Sequence, residues 1–420
     1  MKFAKIISQY KAMTPFLFAA LLALSACGAA PANSGAELTI AAFSDSQYLE
    51  NTARKYEETH NGVNIIITSY AGEEKDVSKY SQIINTALMS GKGEDIIDVS
   101  GISWTKLADK VKLLDLTDEI RITPDEYYTS VMDAFLYNGK RYAIPLGFAF
   151  EAFQFDDAFA DKENTSDLTL SRLLSLADKY PDIVLFNDSG LGMGRMSLAY
   201  KLFSMDFEDY VDVGNKKVYV DGAKFISLLK NVESMRDRLA VQKSGDISLI
   251  RQYALYSPAM CSMGTIDYSN MFLMTNDEGE SNYLQGGFKP AVNANTASSN
   301  KKLAVDFIKF LISEEMQSSP ELPSCPVNKS AAADTAKYIL ADSLTGGYVP
   351  DSWGEGSLEY LERNIAIFDE LAGKLAFVEF EDDFIREFVM DEMARYFQGE
   401  ASAEEAAQSL QSKLEIYLNE

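Results

Sequence analysis

Buried strands alternate with amphipathic helices in the first part of the chain. Residues 38–43, 63–70 and 95–100 are short apolar runs, each typical of a buried strand. Between them lie longer stretches with apolar residues every three or four positions, as in a helix with one buried face. Strands that alternate with helices of this length predict a mainly parallel sheet with right-handed crossovers, and therefore an α/β fold.

The rest of the chain predicts a second domain. A further strand and amphipathic helix follow at residues 288–311, after a less regular region with turn clusters, and the last quarter is predicted to be mostly helical. Since 420 residues are too many for one ordinary hydrophobic core, we expect two domains.

The N-terminus has the features of a secretory signal. Lysines precede an apolar stretch at residues 15–24, and this stretch of about ten residues is well short of the roughly twenty that span a bilayer. The alternative of a transmembrane anchor is therefore weaker. Leu24-Ser-Ala-Cys27 resembles the bacterial lipobox, which implies cleavage after residue 26 and a lipid on Cys27. Residues 28–35 are small and polar and predict a flexible tether.

The charge of the chain limits its partners. The formal net charge is −25 at pH 7, so the protein is expected to be repelled by nucleic acid and by anionic lipid. Attachment to a membrane would then depend on the acyl chains at Cys27. No later segment has an apolar run of spanning length. We therefore expect a lipid-anchored extracytoplasmic protein that does not bind nucleic acid.

The sequence lacks the residue patterns that are typical of metal, cofactor and catalytic sites. Beyond Cys27 only Cys261 and Cys325 remain, either as one disulfide or as two thiols, and the single histidine is His60. The sequence contains no metal-ligand spacing, serine nucleophile elbow or phosphate-binding loop. We therefore expect no metal, no cofactor and no enzymatic activity, although accidental carboxylate pairs are inevitable among 63 acidic residues.

Six segments, in chain order, resemble conserved stretches of the family 1 extracellular solute-binding proteins, whose relatives bind maltose and other sugars. Residues 138–145, Asn-Gly-Lys-Arg-Tyr-Ala-Ile-Pro, are similar to a hairpin of that family. Residues 88–99 are similar to the turn into its third strand, with Glu94 where proline is usual. The other four segments are residues 113–117, 153–156, 295–311 and 397–406.

This resemblance implies a two-lobed periplasmic-binding-protein-like fold of type II, with a hinge and a ligand cleft between the lobes. Residues 36–150 and 287–330 would form lobe 1, and residues 151–286 and 331–420 would form lobe 2. It also implies a monomer that captures a small solute, most often a carbohydrate, and delivers it to the permease of an ABC importer. Ligands of such sheets lie beyond the carboxyl ends of the strands.

Three candidate site residues come from the first predicted domain. Ser44 and Asp45 follow the first strand and would either offer oxygens to sugar hydroxyls or cap the next helix. Trp104 follows the third strand. Its indole would either stack on a pyranose or pack in the core.

The other candidates come from later segments. Glu151 is the one charge in an apolar run, so it would either bind the ligand or pair with a structural cation. In relatives an aromatic residue stacks on sugar near the segment that holds Met263, Thr265 and Tyr268, but no tryptophan is present here. That difference argues against a platform for a large oligosaccharide. The last candidates are Trp353, in a loop, and Asp383 and Arg386, at the start of a helix that faces the ligand in relatives.

Alternatives stay open for Arg386, for the solute and for the role of the protein. Arg386 is suited to bidentate binding of hydroxyls or a carboxylate, but an ordinary surface ion pair is the more common role of such a residue. The solute would be a peptide, a polyamine or another polar metabolite if the cleft favours cations. A surface lipoprotein that acts as an adhesin or as a sensor subunit would share the same fold.

Overall fold

The computed structural model describes most of the chain after the predicted tether. The described residues are 35–70, 76–186, 193–239, 247–258, 260, 268–345, 357–378 and 382–419. The predicted signal, Cys27 and residues 28–34 lie outside them, as do the candidates Met263, Thr265 and Trp353.

The described part of the chain contains the following strands and helices. The strands are β1 (Ala36–Ala42), β2 (Val63–Ser69), β3 (Ile96–Asp98), β4 (Leu136–Tyr137), β5 (Lys140–Arg141), β6 (Gly147–Phe155), β7 (Val184–Phe186), β8 (Val211–Asp212), β9 (Lys217–Val218), β10 (Ser248–Leu255), β11 (Ser281–Gly286), β12 (Pro290–Val292), β13 (Cys325–Pro326) and β14 (Leu375–Val378). The helices are α1 (Gln47–Thr59), α2 (Val77–Met89), α3 (Trp104–Asp109), α4 (Thr129–Met132), α5 (Asp157–Ala160), α6 (Leu170–Lys179), α7 (Arg195–Met205), α8 (Phe207–Tyr210), α9 (Ala223–Ser234), α10 (Ser298–Leu311), α11 (Glu314–Gln317), α12 (Lys329–Thr345), α13 (Ser357–Ala372), α14 (Asp383–Phe397) and α15 (Ala403–Asn419). Each described helix is too short or too polar to cross a bilayer.

A four-stranded sheet has the order β12-β3-β1-β2. The pairs β1–β2 and β1–β3 are parallel, which confirms the mainly parallel arrangement that the strand–helix alternation predicts. β12 comes from the predicted second strand–helix unit and joins the edge of this sheet antiparallel to β3. Residues far apart in sequence therefore complete one sheet.

A second sheet has the order β14-β11-β6-β10-β7, with β13 also paired to β6. β6 lies at its centre and is antiparallel to both β10 and β11. The sequence patterns predicted helices and turns in this region but not these strands. Residues on both faces of β6 are buried, so the strand lacks the alternation of apolar and polar residues that marks a half-buried strand.

Three clusters of buried side chains stabilise these sheets. The first lies between the four-stranded sheet, α1 and α10 and extends to Phe148 and Phe150 of β6. The second includes Phe153 and Phe155 of β6 together with residues of α7, α9, α14 and α15. The third is small and joins the opposite face of the four-stranded sheet to α2 and α3, including Trp104. β6 therefore supplies side chains to two of the clusters from its alternating positions.

The lobe boundaries implied by the family resemblance stay a prediction. The boundary between residues 150 and 151 falls within β6, and the boundary between residues 286 and 287 falls at the end of β11.

Candidate functional site

The buried carboxylate of Asp98 joins three chain segments at the carboxyl end of the four-stranded sheet. One carboxylate oxygen accepts a hydrogen bond from the Phe43 backbone N–H at 3.2 Å. The other accepts from the Ser100 N–H at 3.0 Å, the Ser100 hydroxyl at 2.6 Å and the Lys289 N–H at 3.1 Å. Burial raises the pKa of Asp98, although the bonds from Ser100 and Lys289 oppose that shift. The carboxylate thereby fixes the ends of β1 and β3 beside the start of β12.

A cavity of about 210 Å³ lies at this point, and we call it the strand-end cavity. The described residues around it follow or end β1, β3 and β11, or lie at the start of α2, β12 and α14. They are Phe43, Val77, Ser100, Gly101, Leu284, Gln285, Lys289 and Asp383. This position, beyond the carboxyl ends of strands from both sheets, is the one expected for a ligand of such a fold.

Gln285 gives the strand-end cavity an unused hydrogen-bond donor. Its side-chain nitrogen Nε2 is buried and makes no hydrogen bond to any atom of the described residues. Leaving a buried amide unpaired costs about 1–3 kcal/mol, so such groups usually have a partner. A hydroxyl of a bound ligand would provide that partner.

Gly101 brings the first sheet close to α14. Its φ of +67° is a left-handed conformation, and a Cβ atom there would lie 2.6 Å from a methyl carbon of Val77 and 2.7 Å from a carboxylate oxygen of Asp383. Glycine is required by both the backbone conformation and the close contact. The absence of a side chain at position 101 lets Asp383 approach the end of β3.

Asp383 and Arg386 lie at the start of α14, as the sequence predicted. The Arg386 guanidinium donates to one carboxylate oxygen of Asp383, at 3.2 Å from Nε and 3.0 Å from Nη2. The two side chains are partly exposed. Asp383 therefore borders the strand-end cavity while its charge is partly balanced by Arg386.

Ser44 and Asp45 follow Phe43, which lines the strand-end cavity. Ser46, rather than either of them, caps α1 by accepting a hydrogen bond from the Leu49 N–H at 3.3 Å. Ser44 is half-buried and Asp45 is exposed. The cap therefore leaves both side chains beside the end of β1.

Trp104 lines a second cavity, of about 650 Å³, which we call the helix-walled cavity. The indole is only 3% exposed and packs edge-on against Phe135 and Tyr137, with ring centroids 5.3 and 6.2 Å away. Its N–H is buried and donates to no atom of the described residues. Trp104 thus belongs to the third apolar cluster and also forms part of a cavity wall.

Polar contacts join α3 to α14 and α15 between the two cavities, and we call this group the Asp382 bridge. One carboxylate oxygen of Asp382 lies 3.1 Å from the Ser103 hydroxyl and 2.8 Å from the Tyr417 hydroxyl. The Lys106 ammonium donates to the Tyr417 backbone carbonyl at 2.7 Å and lies 3.8 Å from the centre of the Tyr417 ring. The bridge links helices that belong to different apolar clusters.

Glu151, the single charge in its apolar run, contacts a cation of α7. Its Oε2 lies 2.9 Å from the Lys201 ammonium, and its Oε1 accepts a hydrogen bond from the Gln252 amide at 2.7 Å. Lys201 also donates to the Asn282 side chain at 2.9 Å. The Lys201 ammonium is within ion-pair distance of Oε2, but the two groups are not aligned for a hydrogen bond. Glu151 borders neither cavity among the described lining residues.

Two further sequence candidates are buried. Tyr268 is completely buried in the first apolar cluster. Cys325 is buried in β13, and its Sγ lies 3.6 Å from the Leu255 carbonyl oxygen. Cys261 lies outside the described residues. In the described part of the chain, no group of three His, Cys, Asp or Glu side chains is arranged to hold a metal ion.

Sequence reasoning missed Gln285 and Lys289 at the strand-end cavity. Both flank Gly286-Gly287, which marked the end of the less regular region. The available signal was a polar side chain next to the predicted lobe boundary between residues 286 and 287. It was not informative alone, because the long-range pairing of β12 with β3 brings the end of β11 beside the end of β3.

Comparison with known proteins identifies relatives of the chain. The profile of a family described as bacterial extracellular solute-binding proteins matches residues 51–345, more than half of the chain. No curated protein is significantly similar in sequence.

Solved structures of similar fold cover nearly the whole chain. The GacH receptor of Streptomyces glaucescens is 16% identical, with a TM-score of 0.54 over 92% of this chain and 99% of that one. The cyclic alpha-maltosyl-1,6-maltose binding protein from Arthrobacter globiformis is 15% identical, with a TM-score of 0.57 over 91% and 99%. Maltose-bound MalE3 of T. maritima is 14% identical, with a TM-score of 0.53 over 91% and 100%.

These similarities confirm the predicted periplasmic-binding-protein-like fold. The members of the family and the structural neighbours of the chain are binding proteins. The family is described as extracellular, which indicates an extracytoplasmic location. Together with the two sheets and the cavity at their strand ends, the profile match shows that the chain belongs to the family of bacterial extracellular solute-binding proteins.

Proposed function

We propose that the protein binds a small carbohydrate in the strand-end cavity and delivers it to the transmembrane subunits of an ABC importer. The observation that carries this proposal is the buried Nε2 of Gln285, a donor with no partner among the described residues in a cavity at the ends of the strands. A sugar hydroxyl accepts from an amide and donates to a carboxylate. Gln285 and Asp383 offer both within one cavity.

The structural neighbours support a carbohydrate as the ligand. The GacH receptor was solved in complex with acarbose, and other neighbours bind maltose or cycloalternan. Ser44, Asp45 and Arg386 lie next to residues of the strand-end cavity, so we propose that they complete the site. Met263, Thr265 and Trp353 stay candidates from the sequence, outside the described residues.

The remaining sequence predictions complete the proposal. Acylated Cys27 would hold the protein at the membrane. The flexible tether at residues 28–35 would allow the folded part to contact the permease. A binding protein of this kind performs no catalysis and acts as a monomer that needs no cofactor. Closure around the solute would create the surface that the permease recognises.

Calorimetric titration of the mature protein tests the ligand class. We expect a saturable heat of binding with at least one of glucose, maltose, maltotriose and cellobiose. Gln285→Leu, which keeps the side-chain size but removes the donor, should weaken that binding about tenfold. The matched control is Gln82→Leu on the exposed face of α2, which should leave affinity unchanged.

Two results would count against the proposal. Binding of a dipeptide or of putrescine, with no saccharide bound, would assign the site to another solute. Unchanged saccharide affinity in Gln285→Leu would show that the ligand does not use the strand-end cavity.

A further inference from the structure

The helix-walled cavity is separate from the strand-end cavity. Its described lining residues come from α3, the β4–β5 hairpin, α7, α8, β8, the segment at residues 213–219, β14, α14 and α15, and none of them lines the strand-end cavity. The Asp382 bridge lies between the two, because Ser103 and Asp382 border one cavity while Gly101 and Asp383 border the other. A volume of about 650 Å³ is within the range of small-molecule sites.

The walls of this cavity combine aromatic rings with polar groups. The rings around it belong to Trp104, Tyr137, Tyr200, Phe203, Phe207, Tyr219 and Tyr417. Tyr219 is 50% exposed, so its ring is accessible to a ligand in the cavity. A flat aromatic ring provides contact area for the apolar face of a ligand at low cost in conformational entropy.

The charges around the cavity do not favour an ionic ligand. Three lysines and four carboxylates line it, so their formal charges nearly cancel. Several are already engaged within the protein: Asp382 caps α14, Asp212 accepts hydrogen bonds from Asn215, and Lys106 contacts Tyr417. A ligand that is uncharged, has an apolar face and carries hydroxyl groups matches these walls best.

We propose that the helix-walled cavity is a second ligand site, which binds a short saccharide independently of the strand-end cavity. This inference rests on the proposed function, since it assigns a ligand of the same chemical class to another site. The buried indole N–H of Trp104 in the wall supports it, because that donor has no partner among the described residues. Because the walls come from helices of two apolar clusters, saccharide bound here also stabilises their contact through the Asp382 bridge.

Calorimetric titration with maltotriose and cellobiose, followed by crystal structures of the complexes, tests the second site. We expect two binding events per chain. Tyr219→Ala should weaken one event about threefold to tenfold through the loss of ring contact, and Gln285→Leu should weaken only the other. Met89→Ala is the control, since this side chain is 51% exposed and lines neither cavity.

A second variant guards against an indirect effect of Tyr219→Ala. Leu136 is 40% exposed at the cavity wall, so Leu136→Ala should fold normally and weaken the same event. A single event that is lost in Gln285→Leu and unchanged in both wall variants would overturn the second site but not the proposed function. A single event that responds only to the wall variants would overturn the assignment of two sites. Absence of any saccharide binding would remove both proposals.

Discussion

The ammonium of Lys201, on α7, lies 2.9 Å from the carboxylate of Glu151 in the central strand of the second sheet. Lys201 is 4% exposed, so this cation has been taken out of water and depends on its partners in the protein. The pair joins β6, the central strand, to α7.

Removing one partner of this pair should be more harmful than removing both. We expect Glu151→Gln and Lys201→Met each to lower the free energy of unfolding by about 3–5 kcal/mol, because each leaves the other charge without its opposite charge in a largely buried site. The double variant should lose clearly less than the sum of the two. Urea unfolding of the four proteins measures this coupling, and strictly additive losses would show that the two groups do not interact.

Gly101 should be far less tolerant of a side chain than Gly91. Both glycines have positive φ, +67° and +76°, so alanine costs about 1–2 kcal/mol at either position from backbone strain alone. A Cβ atom at Gly101 would also meet Val77 and Asp383, whereas nothing lies within 4 Å of one at Gly91. Thermal unfolding should therefore show a larger loss for Gly101→Ala, and calorimetry should show weaker saccharide binding only in that variant. Equal losses would contradict the close approach.

Trp104 should act mainly through stability. Trp104→Ala is expected to lower the free energy of unfolding by about 3–5 kcal/mol, because the indole is almost completely buried against Phe135 and Tyr137. Trp104→Phe, which keeps an aromatic ring, should lose much less. If Trp104→Ala instead folds with normal stability and loses 1–3 kcal/mol of saccharide affinity, the indole is a stacking surface for the ligand.

Glu392 should make stability depend on pH in the acid range. Its carboxylate is 1% exposed and contacts Lys413 at 2.8 Å, Arg395 at 2.6 Å and the Ser409 hydroxyl at 2.7 Å. Burial opposes ionisation, but the hydrogen bonds from Lys413 and Ser409 outweigh it and lower the pKa of Glu392 below its ordinary value of 4.5. The stabilisation is therefore complete above pH 4.5 and is lost as the pH falls below it.

Glu392→Gln tests this dependence. At pH 7 the variant should be less stable by about 1–3 kcal/mol, and the difference from the parent protein should shrink on acidification. Glu387→Gln, at an exposed position of the same helix, is the control. A stability difference that does not change between pH 7 and pH 3 would contradict the lowered pKa.

Local patterns in the sequence were sufficient to predict several strands and helices. Apolar runs and helical spacing predicted β1, β2, β3, α1, α2 and α10, because burial of one face imposes a period on the residues. The ordered family-like segments predicted the binding-protein fold and its family. The lipobox-like residues that end at Cys27 stay a prediction of the sequence alone.

Which polar groups come together depends on the tertiary fold. Asp98, Gln285 and Asp383 come from three distant segments. Gln285 and Asp383 follow Asp98 by about 190 and 285 residues, and no local sequence pattern relates side chains at such separations. The same holds for Glu151, whose partner Lys201 is brought to it by the packing of α7 against the second sheet. Local patterns determine the strands and helices. The ion pairs and hydrogen bonds between distant side chains depend on sheet pairing and helix packing, which are long-range interactions.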